Sequence, residues 1–229
     1  MSNTIRAAAG EFLGSAGLAA VVIGSGIAAQ RLSPGDVGLQ LLENAFATAL
    51  GLAVLIVVFA TVSGSHFNPV VTLVDITLHR RSWTTAGVYL PVQVIGCVAG
   101  AVLANVMFAA PAIAWSTTDR SAWPLLLSEV VATAGLVLLI FALVRTGRSN
   151  LAAPAVGAYI GAAYFFTSST SFANPAITIG RMFSDTFAGI APASVLPFIG
   201  AQLVGAALGY SAVRVLFPVG VPAPAVARS

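Results

Sequence analysis

The segment Ser63-Gly64-Ser65-His66-Phe67-Asn68-Pro69-Val70 decides the fold, together with a second segment, Phe172-Ala173-Asn174-Pro175-Ala176. Asparagine is a preferred helix N-cap and proline is favoured at the first helical position, so each Asn-Pro pair favours the start of a helix. Each start is followed by only about 11 residues that suit a membrane, at 68–78 and 174–184, which is roughly 16 Å of helix or half of a hydrocarbon core. The sequence therefore predicts two half-helices that begin at the centre of a membrane.

The composition is that of a protein that crosses a membrane several times. The chain has 229 residues, of which 58% are hydrophobic and 7% are charged, and its mean hydropathy is +0.97. A soluble domain carries about 25% charged residues, so an ordinary globular enzyme is excluded. The ten basic residues are dispersed along the chain, which argues against nucleic-acid binding. One cysteine and two histidines suggest no metal cluster, and we expect no cofactor and no catalysis.

Six further stretches are long and apolar enough to cross a hydrocarbon core, which takes about 20 residues. The predicted spans are 7–30, 39–62, 84–108, 122–144, 151–170 and 193–217. Arginines favour cytoplasmic loops, and seven of the ten lie on one side if both termini are cytoplasmic. We therefore expect a multi-pass protein of the cell inner (plasma) membrane with both termini inside.

An internal repeat divides the chain into residues 1–115 and 116–229. The segment that begins at Glu11 matches the one that begins at Glu129, the two Asn-Pro pairs match, and the segments at Gln93 and Gln202 match. Each half has three predicted spans, and an odd number forces the second half to enter from the opposite face. The sequence predicts a single channel domain over 1–229, built as an inverted repeat whose two half-helices meet at the centre.

This arrangement has an electrostatic consequence. The N-terminus of a helix is equivalent to about half a positive charge, and two of them would point at one spot. A cation is repelled there, whereas a neutral hydroxyl-bearing solute is not. The amides of Asn68 and Asn174 would orient water so that it does not relay a proton easily. These residues therefore predict permeation of neutral solutes with exclusion of cations and protons.

The chain resembles the aquaporin (major intrinsic protein) family along nearly its full length. The residues that carry the resemblance are the two Asn-Pro segments, continued to Thr72 in the first, with Glu11, Glu129 and the Gln93 and Gln202 segments. The resemblance implies an all-α membrane protein with six transmembrane helices and two re-entrant half-helices in an inverted repeat. It also implies a homotetramer in the lipid bilayer, with one pore in each subunit.

Two positions depart from the family pattern. The first signature reads Asn-Pro-Val, so Val70 is expected to enlarge the pore slightly beside its centre, and Pro69, Pro175 and Ala176 complete the predicted pore centre. The family usually has an arginine directly after its second Asn-Pro-Ala, where this chain has Ile177. The resemblance implies a selectivity filter at this level, for which we predict Leu50 (or Thr48), Tyr164, the loop carbonyl near Ser171, and Ile177.

An isoleucine in the filter removes a fixed charge and makes one wall apolar. This favours solutes beyond water, namely glycerol, urea or a neutral metalloid hydroxide such as arsenite. The stretch 174–190 is similar to bacterial aquaporins linked to arsenic resistance.

Several polar residues allow two interpretations. Arg181 lies one turn beyond Ile177 and is expected to act as a vestibule charge, or else to pair with Asp185. His66 either faces the vestibule on the cytoplasmic side or braces its loop. Asp75 needs a partner at membrane depth, for which His79 and Arg80 are the candidates.

Glu11 and Glu129 are intramembrane carboxylates, which by default suggest a function. Because each occurs once per repeat, we expect them to accept backbone N–H bonds from the re-entrant loops and support these loops. A proton relay is the alternative, and it would make the protein an ion- or proton-coupled secondary transporter, a class also built on inverted repeats. A third interpretation is a non-conducting membrane scaffold.

Overall fold

The computed structural model describes residues 2–78 and 80–219. Within this part the chain forms eight α-helices and one short 3-10 helix, Ser149–Leu151, and it has no strand. The α-helices are α1 Asn3–Leu32, α2 Val37–Phe59, α3 Pro69–Thr77, α4 Trp83–Met107, α5 Trp123–Arg145, α6 Ala152–Phe166, α7 Pro175–Arg181 and α8 Pro192–Leu216. The prediction of an all-α fold is confirmed.

Five of these helices, α1, α2, α4, α5 and α8, are long and apolar enough to cross a membrane. Helix α6 has 15 residues, about 22 Å, and the 3-10 helix directly before it lengthens this segment. The span predicted at 151–170 is therefore too long at its C-terminal end, because the backbone becomes extended at Thr167. The protein is an integral, multi-pass membrane protein.

The two halves of the chain pack in the same way. Helix α1 packs along α4, and α5 packs along α8. Glycines permit this close approach, because a Cβ atom on Gly100 would lie 2.1 Å from the Ala16 carbonyl oxygen and one on Gly209 would lie 2.6 Å from that of Ala134. The small residues of α4 and α8 are thus needed where the backbones of two helices meet.

Helices α3 and α7 are the two half-helices, and each starts as the sequence predicts. Asn68 caps α3 by accepting a hydrogen bond from the Val70 amide at 3.0 Å. Asn174 caps α7 by accepting from the amides of Ala176 at 2.9 Å and Ile177 at 3.3 Å. The half-helices have 9 and 7 residues, shorter than the predicted segments because the last turns depart from α-helical geometry.

Candidate functional site: a cavity through the helix bundle

A cavity of about 670 Å³ passes both helix-capping asparagines and receives side chains from both halves of the chain. One end is lined by Asp75, in the last turn of α3, and by Arg80 and Arg81, which follow this helix. We call this end the α3 mouth. At the other end it is lined by Arg181, the last residue of α7; we call this end the α7 mouth. The walls between the two mouths are mostly aliphatic, and include Leu18, Val22, Leu52, Ile56, Leu136, Ile140, Val156 and Ile160.

At the centre of the cavity each asparagine is held by the loop of the other half. Asn68 Nδ2 donates to the Ala173 carbonyl at 2.8 Å, and Asn174 Nδ2 donates to the Phe67 carbonyl at 2.8 Å. An amide nitrogen has two N–H donors, so each asparagine keeps one that this bond does not use. Because the amide oxygen caps a helix and the nitrogen is tied to the opposite loop, both side chains have a fixed orientation.

The two loops before these asparagines have a strained backbone. Ser65 and Phe67 have φ angles of 54° and 49°, and Ser171 and Ala173 have 50° and 46°. Such left-handed conformations in residues other than glycine are uncommon and persist only where the surroundings hold them.

In the first half, the buried carboxylate of Glu11 holds the loop. Its two oxygens accept from the backbone amides of His66 at 3.0 Å and Phe67 at 2.7 Å. Gln93 Nε2 donates to Glu11 at 2.8 Å and to Thr72 Oγ1 at 3.0 Å, which ties the carboxylate to α3. Glu11 is fully buried.

In the second half, Glu129 repeats this arrangement. Its oxygens accept from the amides of Phe172 and Ala173, both at 2.8 Å. Gln202 Nε2 donates to Glu129 at 2.7 Å and to Thr178 Oγ1 at 2.9 Å. Both carboxylates lie where loop-supporting residues were expected, and their contribution to folding stays a prediction.

The residues after each asparagine pack away from the cavity. Pro69 and Pro175 are buried at the first positions of α3 and α7. Val70 is fully buried in an apolar cluster with Val74 and Phe141, and Ala176 is also fully buried. The expectation that Val70 enlarges the pore is therefore wrong, because its side chain packs into an apolar cluster. Of the residues predicted for the pore centre, only Asn68 and Asn174 line the cavity.

The filter prediction is wrong at Leu50. Its side chain is 54% exposed on the outside of the bundle, whereas Thr48, the alternative, is 2% exposed and lines the cavity. Two residues along a helix turn the side chain through about 200°, so only one of the pair faces inward. Thr48 Oγ1 and the Tyr164 hydroxyl are 3.1 Å apart and share a hydrogen bond. Tyr164, Ser171 and Ile177 also line the cavity, and their role as a selectivity filter stays a prediction.

Arg181 lies inside the α7 mouth and stacks on an aromatic ring. Its guanidinium carbon is 3.4 Å from the centre of the Phe172 ring, and its Nε donates to the Ala188 carbonyl. The side chain is only 2% exposed. The alternative of an ion pair with Asp185 is wrong, because that carboxylate accepts instead from the amide of Thr117 at 2.9 Å and from its hydroxyl.

A second arginine stacks on the same ring, and sequence reasoning missed it. The guanidinium carbon of Arg120 lies 5.0 Å from the centre of the Phe172 ring, and its nitrogens donate to the carbonyls of Gly189, Ser169 and Phe187. Burial lowers the pKa of the Arg120 guanidinium, and the charge of Glu129 opposes this shift. In the sequence, Arg120 is a single arginine in a polar loop, and no motif indicates that its side chain contacts the loop before Asn174.

At the α3 mouth, His66 and Asp75 belong to a charged cluster. His66 Nδ1 lies 3.0 Å from Thr72 Oγ1, and His66 Nε2 lies 3.7 Å from Asp75 Oδ2. The Nε atoms of Arg80 and Arg81 are each 3.2 Å from an Asp75 oxygen. His66 therefore lines the cavity and also contacts α3, and its role in the vestibule stays a prediction.

The other partner considered for Asp75 was His79, which lies outside the described residues. Arg81 is a partner of Asp75 that sequence reasoning missed, and it also links the mouth to the loop by donating to the Ser63 carbonyl at 2.9 Å.

Two half-helices that meet at paired asparagines, inside a bundle with a cavity through it, have the architecture of a membrane channel. A profile of the major intrinsic protein family matches residues 1–173. The aquaglyceroporin AqpS of Rhizobium meliloti (strain 1021) is 42% identical over 210 residues, which are 91% of this chain and 89% of the relative. A probable aquaporin TIP1-2 of Oryza sativa subsp. japonica is 31% identical over 78% of this chain and 75% of the relative. The chain belongs to the major intrinsic protein family.

A solved structure agrees in fold. The X-ray structure of the aquaglyceroporin from Plasmodium falciparum superimposes with a TM-score of 0.74, covering 94% of this chain and 98% of that one, at 21% sequence identity. The chain therefore has the aquaporin fold, with six membrane helices and two half-helices in an inverted repeat.

Proposed function

We propose that the protein is a passive channel for water and small uncharged solutes, with one pore in each subunit of a homotetramer. The observation that carries this proposal is the cavity that runs past Asn68 and Asn174 from one mouth to the other. The repeats 1–115 and 116–229 each contribute one half-helix to a single channel domain. Both termini are cytoplasmic in the plasma membrane, so the α3 mouth is the inner one and the α7 mouth is the outer one.

The chemistry of the walls supports solutes larger than water. Ile177 and the aliphatic side chains contact the carbon side of a solute, while Thr48, Tyr164 and the two asparagine amides offer hydrogen-bonding groups to its hydroxyls. Glycerol has both of these surfaces, and two of the similar proteins are named aquaglyceroporins. Urea and arsenite are neutral and of similar size, and we propose them as further solutes to test.

The charged residues at the two mouths lie outside the narrow part of the pore and influence which solutes enter it. Arg181 places a fixed positive charge in the outer vestibule, one turn of helix beyond the level that Ile177 occupies. His66 lines the inner vestibule, where Asp75 is matched by Arg80 and Arg81. Both vestibules therefore add to the repulsion of cations at the centre.

The alternative, a coupled secondary transporter, requires Glu11 or Glu129 to release and rebind a proton during transport. The oxygens of each carboxylate already accept from two loop amides and a glutamine. Protonation would turn one carboxylate oxygen into a donor, and the strained loop would lose an acceptor for its amides. The geometry therefore favours a permanent structural role. This is why we prefer the channel.

Glycerol flux into proteoliposomes distinguishes the two functions. Stopped-flow light scattering would follow re-swelling after glycerol is added outside the proteoliposomes, at several glycerol concentrations and pH values, with empty liposomes for comparison. We expect fast re-swelling that rises linearly with concentration and does not change with pH between about 6 and 8. Flux that saturates and requires a pH gradient would instead support the transporter.

A further inference from the structure

Arg181 is a buried guanidinium without a carboxylate partner. Its Nε donates to Ala188 and its plane lies over Phe172, but within residues 2–78 and 80–219 its two Nη groups have no hydrogen-bond partner. The ion pairs found in this part of the chain all involve Asp75, at the opposite mouth. Burial of a charge is costly unless the charge is paired, and here the unpaired groups border a cavity.

A second unpartnered polar group borders the same cavity. The hydroxyl of Ser171 is buried, with the residue 3% exposed, and it has no hydrogen-bond partner among the described residues. Thr48 and Tyr164 share one hydrogen bond between two hydroxyls, so one of their two protons remains to be donated. The α7 mouth therefore has an excess of hydrogen-bond donors.

Two arginines meet at this mouth, and within the described residues neither forms an ion pair with a carboxylate. Arg120 stacks on the same Phe172 ring as Arg181, and its own donors are used by backbone carbonyls. It contributes charge without competing for a ligand. The carboxylates nearest to these arginines in sequence are Asp119, which accepts from Ser121 and Ser194, and Asp185, which accepts from Thr117. Glu129 is occupied by two loop amides and Gln202.

We propose that the α7 mouth binds a small monovalent carboxylate through the Nη groups of Arg181 and the hydroxyl of Ser171. A guanidinium matches the two oxygens of a carboxylate in one plane, which makes such pairs stronger than bonds to a neutral hydroxyl. The anion is held and not conducted, because the cavity beyond it is walled by aliphatic side chains such as Leu52 and Ile160, where an unpaired carboxylate loses its hydration. The bound anion therefore blocks the pore.

Binding can be measured without transport. Saturation-transfer NMR on the detergent-solubilised protein would compare glycolate with ethylene glycol, its neutral counterpart of similar size. We expect saturable glycolate binding that ethylene glycol does not displace at the same concentration. Binding should weaken at least roughly tenfold in Arg181→Gln and less strongly in Ser171→Ala. Equal binding of the two ligands, or unchanged glycolate binding in a folded Arg181→Gln, would overturn the proposal.

Arg181→Lys and Ser171→Ala keep the test valid if Arg181→Gln does not fold. The lysine keeps the charge but lacks the planar pair of donors, so we expect glycolate affinity between wild type and the glutamine variant. Gel filtration establishes which variants are folded. Glycolate affinity that is unchanged in both folded variants would contradict the proposed ligands.

Glycerol flux tests whether bound glycolate blocks the pore, and this part of the proposal rests on the proposed channel function. Proteoliposomes would contain the same concentration of sodium glycolate or sodium chloride on both sides, and each variant is compared with its own flux in chloride. Glycolate should inhibit wild-type glycerol flux at least about twofold and lose this effect in Arg181→Gln. Glycerol flux that glycolate does not change overturns the block and leaves the channel in place. Glycolate binding without any glycerol flux supports the anion site and overturns the proposed passage of glycerol.

Discussion

At the scale of single residues, the filter depends on which face of α2 is turned inward. Thr48 lines the cavity and contacts Tyr164, whereas Leu50 is exposed on the outside of the bundle. The sequence offers both residues on one apolar helix, and no motif marks the inward one. The phase of the helix is set by packing against α1 and α6, which involves residues far apart in the chain.

Cysteine substitution at these two positions tests the assignment. A neutral reagent, methyl methanethiosulfonate, should reduce glycerol flux in Thr48→Cys because the added group narrows the pore. The matched variant Leu50→Cys should keep its flux, since its side chain faces away from the cavity. Stopped-flow light scattering before and after the reagent measures both. Inhibition of Leu50→Cys alone would reverse the assignment.

The native thiol does not complicate this experiment. Cys97 is fully buried, and burial keeps a thiol unreactive. Wild-type protein treated with the reagent serves as the control and should keep its glycerol flux.

The two loop-supporting carboxylates are also a residue-scale feature. Replacing Glu129 with glutamine leaves one acceptor where two loop amides and Gln202 donate, and it removes the charge that strengthens these bonds. We expect Glu129→Gln to destabilise the protein by about 2–4 kcal/mol. Samples would be heated in detergent to a series of temperatures, and gel filtration would measure the folded protein that remains. The variant should show a lower midpoint temperature of unfolding.

A matched control is Glu43→Gln, because Glu43 also lies on a membrane helix but accepts one hydrogen bond, from Ser33 at 2.7 Å. This substitution should lower the free energy of unfolding by less than about 1 kcal/mol. A stable Glu129→Gln protein whose transport loses its dependence on a pH gradient would contradict the structural role and favour a transporter.

At the scale of helices, glycine sets the distance between α1 and α4. A Cβ atom at position 100 would lie 2.1 Å from the Ala16 carbonyl oxygen, so Gly100→Ala must push the helices apart. We expect a loss of about 1–3 kcal/mol in unfolding free energy. The midpoint of thermal aggregation in detergent is a suitable measure.

Gly87→Ala is the control within the same helix, because no atom lies within 4 Å of a Cβ built there. Since alanine has a higher helix propensity than glycine, this variant should be neutral or more stable by up to about 1 kcal/mol. Equal destabilisation by both substitutions would show that helix contact is not the cause.

At the scale of the whole molecule, the two halves pack against each other through α2 with α6, α4 with α7 and α3 with α8, and hydrogen bonds join them at the centre of the cavity. Each asparagine is tied to the opposite loop, and each loop is tied to the carboxylate of its own half. The fold and this centre could be predicted because the Asn-Pro pairs, the half-length apolar segments and the two glutamates are local patterns that occur twice.

The α7 mouth could not be predicted in the same way. Arg120 and Arg181 meet at Phe172 through contacts between separate loops and helices, and no repeated motif marks them. The position of Val70 directly after Pro69 predicts a pore residue, but the turn of α3 directs its side chain into an apolar cluster.

Exclusion of cations is a property of the whole molecule, because it depends on the combined positive charge of the two half-helix N-termini and of the arginine at the α7 mouth. We expect no sodium current above background in planar bilayers that contain the protein, even though Ile177 replaces a charged filter residue. A conductance selective for sodium would contradict this electrostatic account.

The most direct test of the central claim is the osmotic response of proteoliposomes that contain wild type, Ile177→Arg or the size-matched control Ile177→Leu. When glycerol is added outside the vesicles, they shrink as water leaves and re-swell as glycerol enters. We predict that wild type and Ile177→Leu shrink and re-swell quickly, while Ile177→Arg still shrinks quickly but re-swells no faster than empty liposomes. If wild type shrinks quickly and does not re-swell, the protein is a water channel, and the apolar filter does not admit the larger solutes.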